Sequence, residues 1–448
     1  MRDVTSDALA RAKHVHGQLN AFTCILDQKA MVEAERLDEL LKKGEPEGLL
    51  FGVPIAIKDM TPTKGDPTTL GSWVTGDRIT DHDAVVVERL RQAGAVVIGK
   101  TTTAEFAFSS FTKTKRYGLT HNPWNLDRTA GGSSGGSGAA VAGGAVPLAE
   151  GTDMGGSVRI PAGACGVVGF KPSLGRIPMT IVPPALETYS HFGPLASCVD
   201  DAARFVAAAA GHHPADMLSL TTPFHYEQCG PANLSGRRFA LSVDLGYCEV
   251  DPDVERAIRD TADRIRTAGG IVEEVSPSLT RAVFDEWAKR WNVLLGLFPG
   301  ADTEEDFAKM DPALVACIKA GREMSAVELI NVDVFRAELN HVLVSILGRY
   351  EMLLCPTNAI GAPPLSHNDS DYEETLENGK LRAFDMCHPF NMVPVLPALS
   401  LPVGLTSEQL PIGLQIVGRP HENENVLSVA AAIENLVDRL PRPPHPED

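Results

Sequence analysis

Glycine is concentrated in one stretch of this chain. Of the 27 residues from 130 to 156, ten are glycine, and several stand next to serine. Glycine is costly inside a helix or strand, and it is needed where the backbone adopts conformations closed to other residues or approaches another group closely. The stretch therefore predicts irregular, tightly packed backbone rather than ordinary helix or strand, and it is the first place to look for chemistry.

The segments around this stretch alternate between strand and helix patterns. An apolar run over residues 52–58 is followed by a helical pattern over 83–93 and by a second apolar run over 95–99. Such alternation predicts an α/β fold, a sheet flanked by helices. Further along, the pattern predicts a capped helix from Asp251 to Gly269 and buried strands at 271–275, 352–355, 399–403 and 412–417.

The chain shows no internal repeat and no long polar linker, which predicts one domain. With 448 residues and 44% hydrophobic content it is long enough to bury a large core. Four regions are expected within the domain: an N-terminal helical cover over 1–50 with two helices in 5–43, a core over 51–200, a variable and mainly helical region over 205–345, and strands with a helix over 350–440.

Charge and cysteine usage narrow the class of partner. The formal net charge of −18 disfavours a nucleic-acid partner, because the field of the chain repels phosphate backbones. The N-terminus lacks the apolar run of a signal peptide, and no stretch approaches 18 uninterrupted apolar residues, which indicates no membrane association and a cytoplasmic location. The eight cysteines are scattered without a Cys-x-x-Cys pair, so we expect reduced thiols.

Three short matches to active-site patterns lack the structural context that their chemistry needs. Residues 94–101 fit the pattern of a phosphate-binding loop, but its four variable positions are Ala-Val-Val-Ile, which predicts a buried strand. Residues 131–135 fit Gly-x-Ser-x-Gly, but the residues before them, 125–129, read as a polar loop rather than a strand. Residues 110–113 fit Ser-x-x-Lys, a pattern common by chance, and no Lys-Thr-Gly follows.

Lys58, the segment 131–138 and the segment 151–161 form a more specific set. At these residues the chain resembles the amidase signature family, which has similar serine-rich and Gly-Thr-Asp-x-Gly-Gly-Ser segments. The resemblance is strong over 51–200 and 390–435 and weak from about 205 to 330. Other matching blocks are Gly52-Val53-Pro54, Gly71-Ser72, Asn122-Pro123-Trp124-Asn125, residues 166–172, Gly193-Pro194-Leu195 and residues 411–415.

The resemblance implies a fold and a set of roles. It implies a large mixed central β-sheet with helices on both faces, and a triad in which Ser157 is the nucleophile, Ser133 the bridging serine on a cis peptide bond, and Lys58 the base. It also implies an oxyanion hole made by backbone amides. These amides are those of Met154, Gly155, Gly156 and Ser157.

The chemistry of these residue types agrees with the implied roles. A serine hydroxyl needs a neighbour to take its proton, and burial at the end of an apolar strand would favour the neutral, basic form of Lys58. A hydroxyl such as that of Ser133 can accept from one group and donate to the next, so it can relay the proton. Asp153 and Arg159 flank the second segment, and we expect them to hold the loop rather than react.

No cofactor and no metal are expected. The sequence contains no His-Glu-x-x-His motif and no paired carboxylate cluster. Solitary histidines are usually ordinary hydrogen-bonded or exposed residues, and we interpret His191, His213 and His388 in this way.

Substrate contacts are less constrained by the sequence. Trp287 and Trp291 stand four residues apart on one face of a predicted helix, which indicates either core packing or an apolar substrate funnel. Tyr189 and Phe192 are further candidates, although Ser190 stands between them where many members of the family carry Asp, which leaves any substrate contact of this stretch open.

The predicted activity is hydrolysis of an amide-type carbon–nitrogen bond in a small molecule, an aryl or acyl amide or a carbamate, through an acyl-enzyme. The resemblance also leaves open the amidase subunit of a tRNA-dependent amidotransferase, which releases ammonia from glutamine. A non-catalytic binding relative is a third alternative, disfavoured because all three triad residues are present. The chain is expected to be a monomer or a homodimer.

Overall fold

The computed structural model describes residues 1–182, 187–298 and 302–445. The strands are β1 (Phe22–Ile25), β2 (Pro54–Lys58), β3 (Val96–Thr101), β4 (Lys113–Thr114), β5 (Gly118–Leu119), β6 (His121–Asn122), β7 (Asn125–Thr129), β8 (Leu148–Asp153), β9 (Val168–Lys171), β10 (His191–Ala196), β11 (Arg238–Leu241), β12 (Cys248–Glu249), β13 (Ile271–Glu274), β14 (Met352–Pro356), β15 (Leu381–Arg382), β16 (Ala398–Leu405) and β17 (Pro411–Gly418). The helices are α1 (Arg2–Leu19), α2 (Asp27–Lys43), α3 (Val85–Gln92), α4 (Gly135–Ala142), α5 (Arg159–Cys165), α6 (Val199–Ala209), α7 (Pro252–Thr267), α8 (Ala282–Gly296), α9 (Glu304–Lys309), α10 (Pro312–Glu323), α11 (Ala326–Leu347), α12 (Pro389–Met392) and α13 (Asn423–Glu434).

One mixed sheet organises these elements. Its 11 strands run in the order β1-β3-β2-β8-β10-β9-β16-β17-β14-β11-β13. The β3-β2-β8 and β14-β11-β13 groups are parallel, and the pairs from β8 through β10, β9, β16 and β17 to β14 are antiparallel. The predicted α/β fold with a large mixed sheet is thereby confirmed.

Alternation along the central strands sends side chains to two cores. Ile55 and Ile57 of β2 pack into one core with residues of α3, α6, α7 and α13. Ala56, between them, packs into the other with residues of α1, α2, α4 and α5. Because successive side chains of a strand point to opposite faces, the sheet carries helices on both faces, as expected.

The predicted elements downstream are largely confirmed. Helix α7 begins at the predicted cap, where the side chain of Asp251 accepts a hydrogen bond from the Asp253 N–H. The strands β13, β14, β16 and β17 lie where the apolar runs predicted them. The region 205–345 contains α7 to α11 and is mainly helical, with residues 299–301 outside the described part.

Three local expectations are wrong. The N-terminal region contains a strand, β1, between α1 and α2, and this strand pairs with β3 at the edge of the main sheet. Residues 125–129 form β7, paired with β6, rather than a loop. Part of the glycine-rich stretch is regular, since α4 and β8 lie within it.

The glycines of α4 are explained by close packing. A Cβ on Gly136 would lie 2.3 Å from the Thr102 hydroxyl oxygen and 2.6 Å from the Ala21 carbonyl oxygen. Here glycine serves to let the helix backbone approach its neighbours, so the expected close approach is present although the expected irregularity is not. Among the helices that the structure describes, none is long and apolar enough to cross a membrane.

Candidate active site

The carboxyl ends of two neighbouring parallel strands bring Lys58 to the glycine-rich segments. Lys58 ends β2, and β8 beside it ends at Asp153. The Lys58 side chain is fully buried, and its Nζ lies 2.6 Å from the Oγ of Ser133 and 2.9 Å from the Oγ1 of Thr152. The first two members of the predicted triad are therefore in hydrogen-bond contact.

Ser133 is buried and follows a cis Gly132–Ser133 peptide bond, which agrees with the expectation from the family resemblance. The preceding glycine is required by its surroundings, since a Cβ on Gly132 would lie 2.6 Å from the carbonyl oxygen of Ser109. The Ser133 carbonyl accepts the Ala104 N–H at 3.2 Å. The bridging position is thus fixed by the neighbouring backbone as well as by Lys58.

Ser157 lies four residues after β8 and is partly exposed, whereas Ser133 and Lys58 are buried. The two serine segments are joined by a hydrogen bond from the Ser134 N–H to the Ser157 carbonyl at 3.3 Å. Over residues 1–182, 187–298 and 302–445, no protein group hydrogen-bonds the Ser157 hydroxyl, which leaves it accessible to a substrate. Transfer of its proton through Ser133 to Lys58 stays a prediction.

Burial dominates the electrostatics of Lys58. Desolvation lowers the pKa of its ammonium group well below the ordinary lysine value, and the carboxyl groups of Glu150 and Asp153 partly oppose this. Glu150 is itself buried, and desolvation raises its pKa. Its carboxyl oxygens accept the Lys58 backbone N–H and the Thr61 hydroxyl, each at 2.9 Å. The buried Lys58 can therefore be neutral near pH 7, as a base must be.

Asp153 and Arg159 form a buried ion pair behind the Ser157 loop. The Arg159 guanidinium reaches both carboxylate oxygens of Asp153, at 2.9 and 3.0 Å, and also the side chain of Gln415 at 2.6 Å. Burial would raise the pKa of Asp153, but Arg159 holds it well below the usual range. These contacts agree with the expected role of the pair in holding the loop, and that role stays a prediction.

The loop amides divide into two sets. The Gly156 N–H donates to the Asp153 carboxylate at 2.9 Å, so in this conformation it is not available to an oxyanion. The N–H groups of Met154, Gly155 and Ser157 have no acceptor within the described part of the chain. Three of the four amides of the predicted hole are therefore free of an acceptor in the described part of the chain, and the hole itself stays a prediction.

Two adjoining cavities lie in front of Ser157. A recess of about 20 Å³ is lined by Ser157, Met154 and Gly155. A larger cavity of about 640 Å³ shares several of its walls with the recess. The shared lining residues are Phe108, Ser109, Ser110, Trp287, Trp291 and His388.

The structure separates the four candidate substrate residues. Trp287 and Trp291 line both cavities, which favours the funnel interpretation for this face of α8. Phe192 belongs to β10 and is buried in the core, and Tyr189 is buried with the guanidinium groups of Arg290 and Arg336 against its ring. Neither Tyr189 nor Phe192 lines either cavity, so the structure does not bring these two candidates to the site.

Several cavity residues were missed by the sequence analysis. Phe111, Asp369 and Glu373 line the larger cavity, and His388 lines both. They come from two distant parts of the chain, Phe111 from one and the other three from residues 369–388, and no spacing rule joins them. The Asp369 carboxylate accepts the Ser109 hydroxyl at 2.6 Å and the Ser110 N–H at 2.9 Å, a long-range contact that only the fold reveals.

The three histidines differ in their surroundings. His191 is buried on β10 with its Nδ1 2.6 Å from the Tyr189 carbonyl, and burial lowers its pKa to about 3, which fits a structural residue. His213 lies outside both cavities and accepts the Ala215 N–H at 3.2 Å. His388 stands against Trp287, with ring centroids 4.2 Å apart, and near Asp385 at 3.4 Å.

Comparison with known proteins identifies the family. The Amidase family model matches residues 3–427, and the chain belongs to the amidase signature family. An acylamidase of Rhodococcus erythropolis is 34% identical over 444 residues, 96% of this chain and 91% of that protein. A glutamyl-tRNA(Gln) amidotransferase subunit from Cyanothece sp. is 33% identical and covers 98% of this chain and 96% of its own length.

A solved structure leads to the same conclusion. A bacterial aryl acylamidase of the amidase signature family superimposes with a TM-score of 0.91 at 28% identity, covering 97% of this chain and 92% of its own. The chain is thus a hydrolase acting on amide carbon–nitrogen bonds.

Proposed function

We propose that the chain hydrolyses small aryl or acyl amides, or carbamates, without a partner subunit, through Lys58, Ser133 and Ser157. The observation that supports this proposal most directly is the 2.6 Å contact between Lys58 Nζ and Ser133 Oγ, both fully buried, behind an accessible Ser157. A base kept from water at the end of a hydroxyl relay is an arrangement that can activate a serine.

In the proposed mechanism, neutral Lys58 accepts a proton from Ser133 as Ser133 accepts the proton of Ser157. The Ser157 oxygen attacks the carbonyl carbon, and the resulting oxyanion is stabilised by the N–H groups of Met154, Gly155 and Ser157. The proton returns along the relay to the leaving nitrogen, the carbon–nitrogen bond breaks, and an acyl-enzyme remains. Water, deprotonated by the same relay, then releases the acid.

The cavity favours substrates with an aromatic or long apolar group. Its rings include those of Phe108, Phe111, Phe284, Trp287 and Trp291. A volume of about 640 Å³ lies in the range of small-molecule sites. Carbamates enter the proposal because they differ from amides at the carbonyl by one added oxygen.

Glutamine hydrolysis within an amidotransferase is the second candidate, supported by the amidotransferase relatives. The cavity argues against it. Free glutamine carries an α-carboxylate, whereas the described cavity lining has Asp311, Asp369, Glu373 and Asp385 against one lysine, Lys113, and no arginine. The Lys113 ammonium is engaged by the Asn368 side chain and the His367 carbonyl. A carboxylate placed among these carboxyl groups would be repelled.

A substrate panel separates the two candidates. We expect the purified chain to hydrolyse an aryl anilide and an aryl carbamate at least tenfold faster, in kcat/KM, than a primary aliphatic amide, and to leave glutamine unchanged. The reason is the aromatic wall and the excess of carboxyl groups in the cavity. The measurement is initial rate by chromatography of the released amine. Turnover of glutamine alone would instead support the amidotransferase function.

Location and assembly remain part of the proposal. All eight cysteines are unpaired thiols, which supports work in the reducing cytoplasm. The net charge of −18 supports a small-molecule partner rather than nucleic acid. The proposed species is a monomer or a homodimer.

Activity is expected to be independent of metal ions. In the described part of the chain no group of three or more His, Cys, Asp or Glu residues is placed to hold a metal. The proposed relay needs none, because Lys58 takes the proton and backbone amides stabilise the oxyanion. Dialysis against EDTA should leave kcat/KM unchanged. A loss restored by added Zn²⁺ would contradict the proposed chemistry.

A further inference from the structure

Trp287 contacts the nucleophile loop as well as the cavity. Its indole Nε1–H donates to the Met154 carbonyl at 3.0 Å. Its ring lies directly against the next residue, because a Cβ on Gly155 would be 2.4 Å from a ring carbon. The side chain therefore covers the Met154–Gly155 peptide from one side.

This contact fixes the orientation of an amide. The Met154 carbonyl and the Gly155 N–H belong to one trans peptide unit and point in opposite directions, so a bond that holds the carbonyl also holds the N–H. Glycine itself offers little resistance to rotation of that unit. In the described part of the chain the Gly155 N–H has no acceptor, whereas the Gly156 N–H is held by Asp153 at 2.9 Å.

Trp287 is in turn well supported. Its ring is stacked on Trp291, with centroids 6.1 Å apart and planes inclined by 20°. It meets the edge of His388 at 4.2 Å. Trp291 has its own anchor, a hydrogen bond from Nε1 to the Phe108 carbonyl at 3.3 Å. Helix α8 thus presents a rigid aromatic pair, of which only Trp287 hydrogen-bonds the loop that carries Ser157.

We propose that Trp287 is a positioning residue that holds the Gly155 N–H ready for the oxyanion, in addition to forming the cavity wall. This inference rests on the proposed function, because it assigns the Gly155 amide to the oxyanion hole. An oxyanion donor is effective only when it is oriented before charge develops. Loss of the indole N–H should therefore slow the chemical step for every substrate, including those too small to fill the cavity.

The test compares two like substitutions in the same cavity. Trp287→Phe removes the donor and keeps an aromatic ring, and we expect kcat to fall about tenfold with KM within about twofold, for a large anilide and for acetanilide alike. Trp291→Phe is the matched control, since its indole N–H bonds Phe108 and not the loop. Because Trp291 lines the cavity, we expect this substitution to raise KM for the large anilide and to lower kcat by clearly less than Trp287→Phe does.

Equal effects of the two substitutions, or a change in KM alone for Trp287→Phe, would overturn the inference and leave Trp287 as a wall residue. Replacement of Trp287 by benzothienylalanine, which has the shape of tryptophan without its N–H, guards against a folding effect and should reproduce the tenfold loss. Labelling of Ser157 by phenylmethanesulfonyl fluoride, followed by mass spectrometry, distinguishes failure of the proposed function from failure of the positioning role. Absence of labelling in the unsubstituted chain would count against the proposed nucleophile, whereas labelling that is slower only in Trp287→Phe supports the positioning role.

Discussion

Replacement of Ser157 by alanine is expected to lower kcat by about four to six orders of magnitude and to leave the fold intact. The residue is partly exposed, and within the described ranges its hydroxyl has no protein partner, so its removal opens no core cavity and strands no buried group. Without the oxygen nucleophile, no acyl-enzyme can form, and only stabilisation by the loop amides remains. The measurement is single-turnover and steady-state hydrolysis of an aryl anilide.

Ser110 provides the matched control. It lines the same recess as Ser157 and belongs to the Ser-x-x-Lys match at 110–113, but its contact with Asp369 is made by the backbone N–H. Ser110→Ala should therefore keep kcat within about threefold. If Ser110→Ala were inactive and Ser157→Ala active, the assignment of the nucleophile would be wrong. Circular dichroism and thermal unfolding of both variants distinguish loss of chemistry from loss of fold.

The central sheet could be predicted from the sequence because its strands are clear apolar runs. Ile55, Ala56 and Ile57 alternate between two cores, and this buried run was recognisable without the structure. Lys58 follows directly, so its burial could also be anticipated. Strand β1 escaped prediction because its four residues are stabilised by pairing with β3, an interaction between distant parts of the chain.

The proposed triad residues could be named from motifs, but the cavity could not be predicted from the sequence. Lys58, Ser133 and Ser157 stand in segments whose spacing and composition are specific. The cavity walls come from segments near 108–113, 284–292, 311–317 and 368–388, and only their relative placement makes a site. Tyr189 and Phe192 stand next to the matching block 193–195, and their burial shows that proximity in sequence is a poor guide to exposure.

The orientation of the Gly156 amide also could not be predicted from the sequence. Consecutive glycines indicate amides that can point to one place, and the family resemblance implies a hole with four donors. The structure shows the Gly156 N–H on the carboxylate of Asp153, whose charge is maintained by Arg159. The orientation of each peptide in this loop depends on contacts with side chains. Here the Asp153 carboxylate accepts the Gly156 N–H, and the Trp287 indole donates to the Met154 carbonyl.

Replacement of Lys58 by methionine is expected to lower kcat/KM by about 10²- to 10⁴-fold, the usual contribution of a general base. Methionine fills a similar volume in this fully buried position without a titratable group.

The free energy of unfolding of Lys58→Met at pH 7 should not fall below that of the unsubstituted chain. Because the pKa of Lys58 is lowered in the folded state, the unfolded chain binds more protons between the folded and unfolded pKa values, and the lysine makes stability rise with pH over that window. Thermal unfolding of both chains at pH 7 and pH 9 checks this pH dependence. In the activity measurement, an unchanged kcat/KM for Lys58→Met would show that Lys58 is not the base.

The pH profile gives a sharper test, through Glu150. The rising limb of kcat/KM with pH should report deprotonation of Lys58. The carboxyl groups of Glu150 and Asp153 face this lysine, and the charge of Lys100 in turn lowers the pKa of Glu150. Because the Glu150 carboxylate favours the charged lysine, Glu150→Gln should lower the pKa of Lys58 further and move the limb to lower pH. Glutamine still offers an oxygen to the Lys58 N–H or the Thr61 hydroxyl, which limits disturbance of the strand. A limb that stayed in place, or moved to higher pH, would show that the titration belongs to another group.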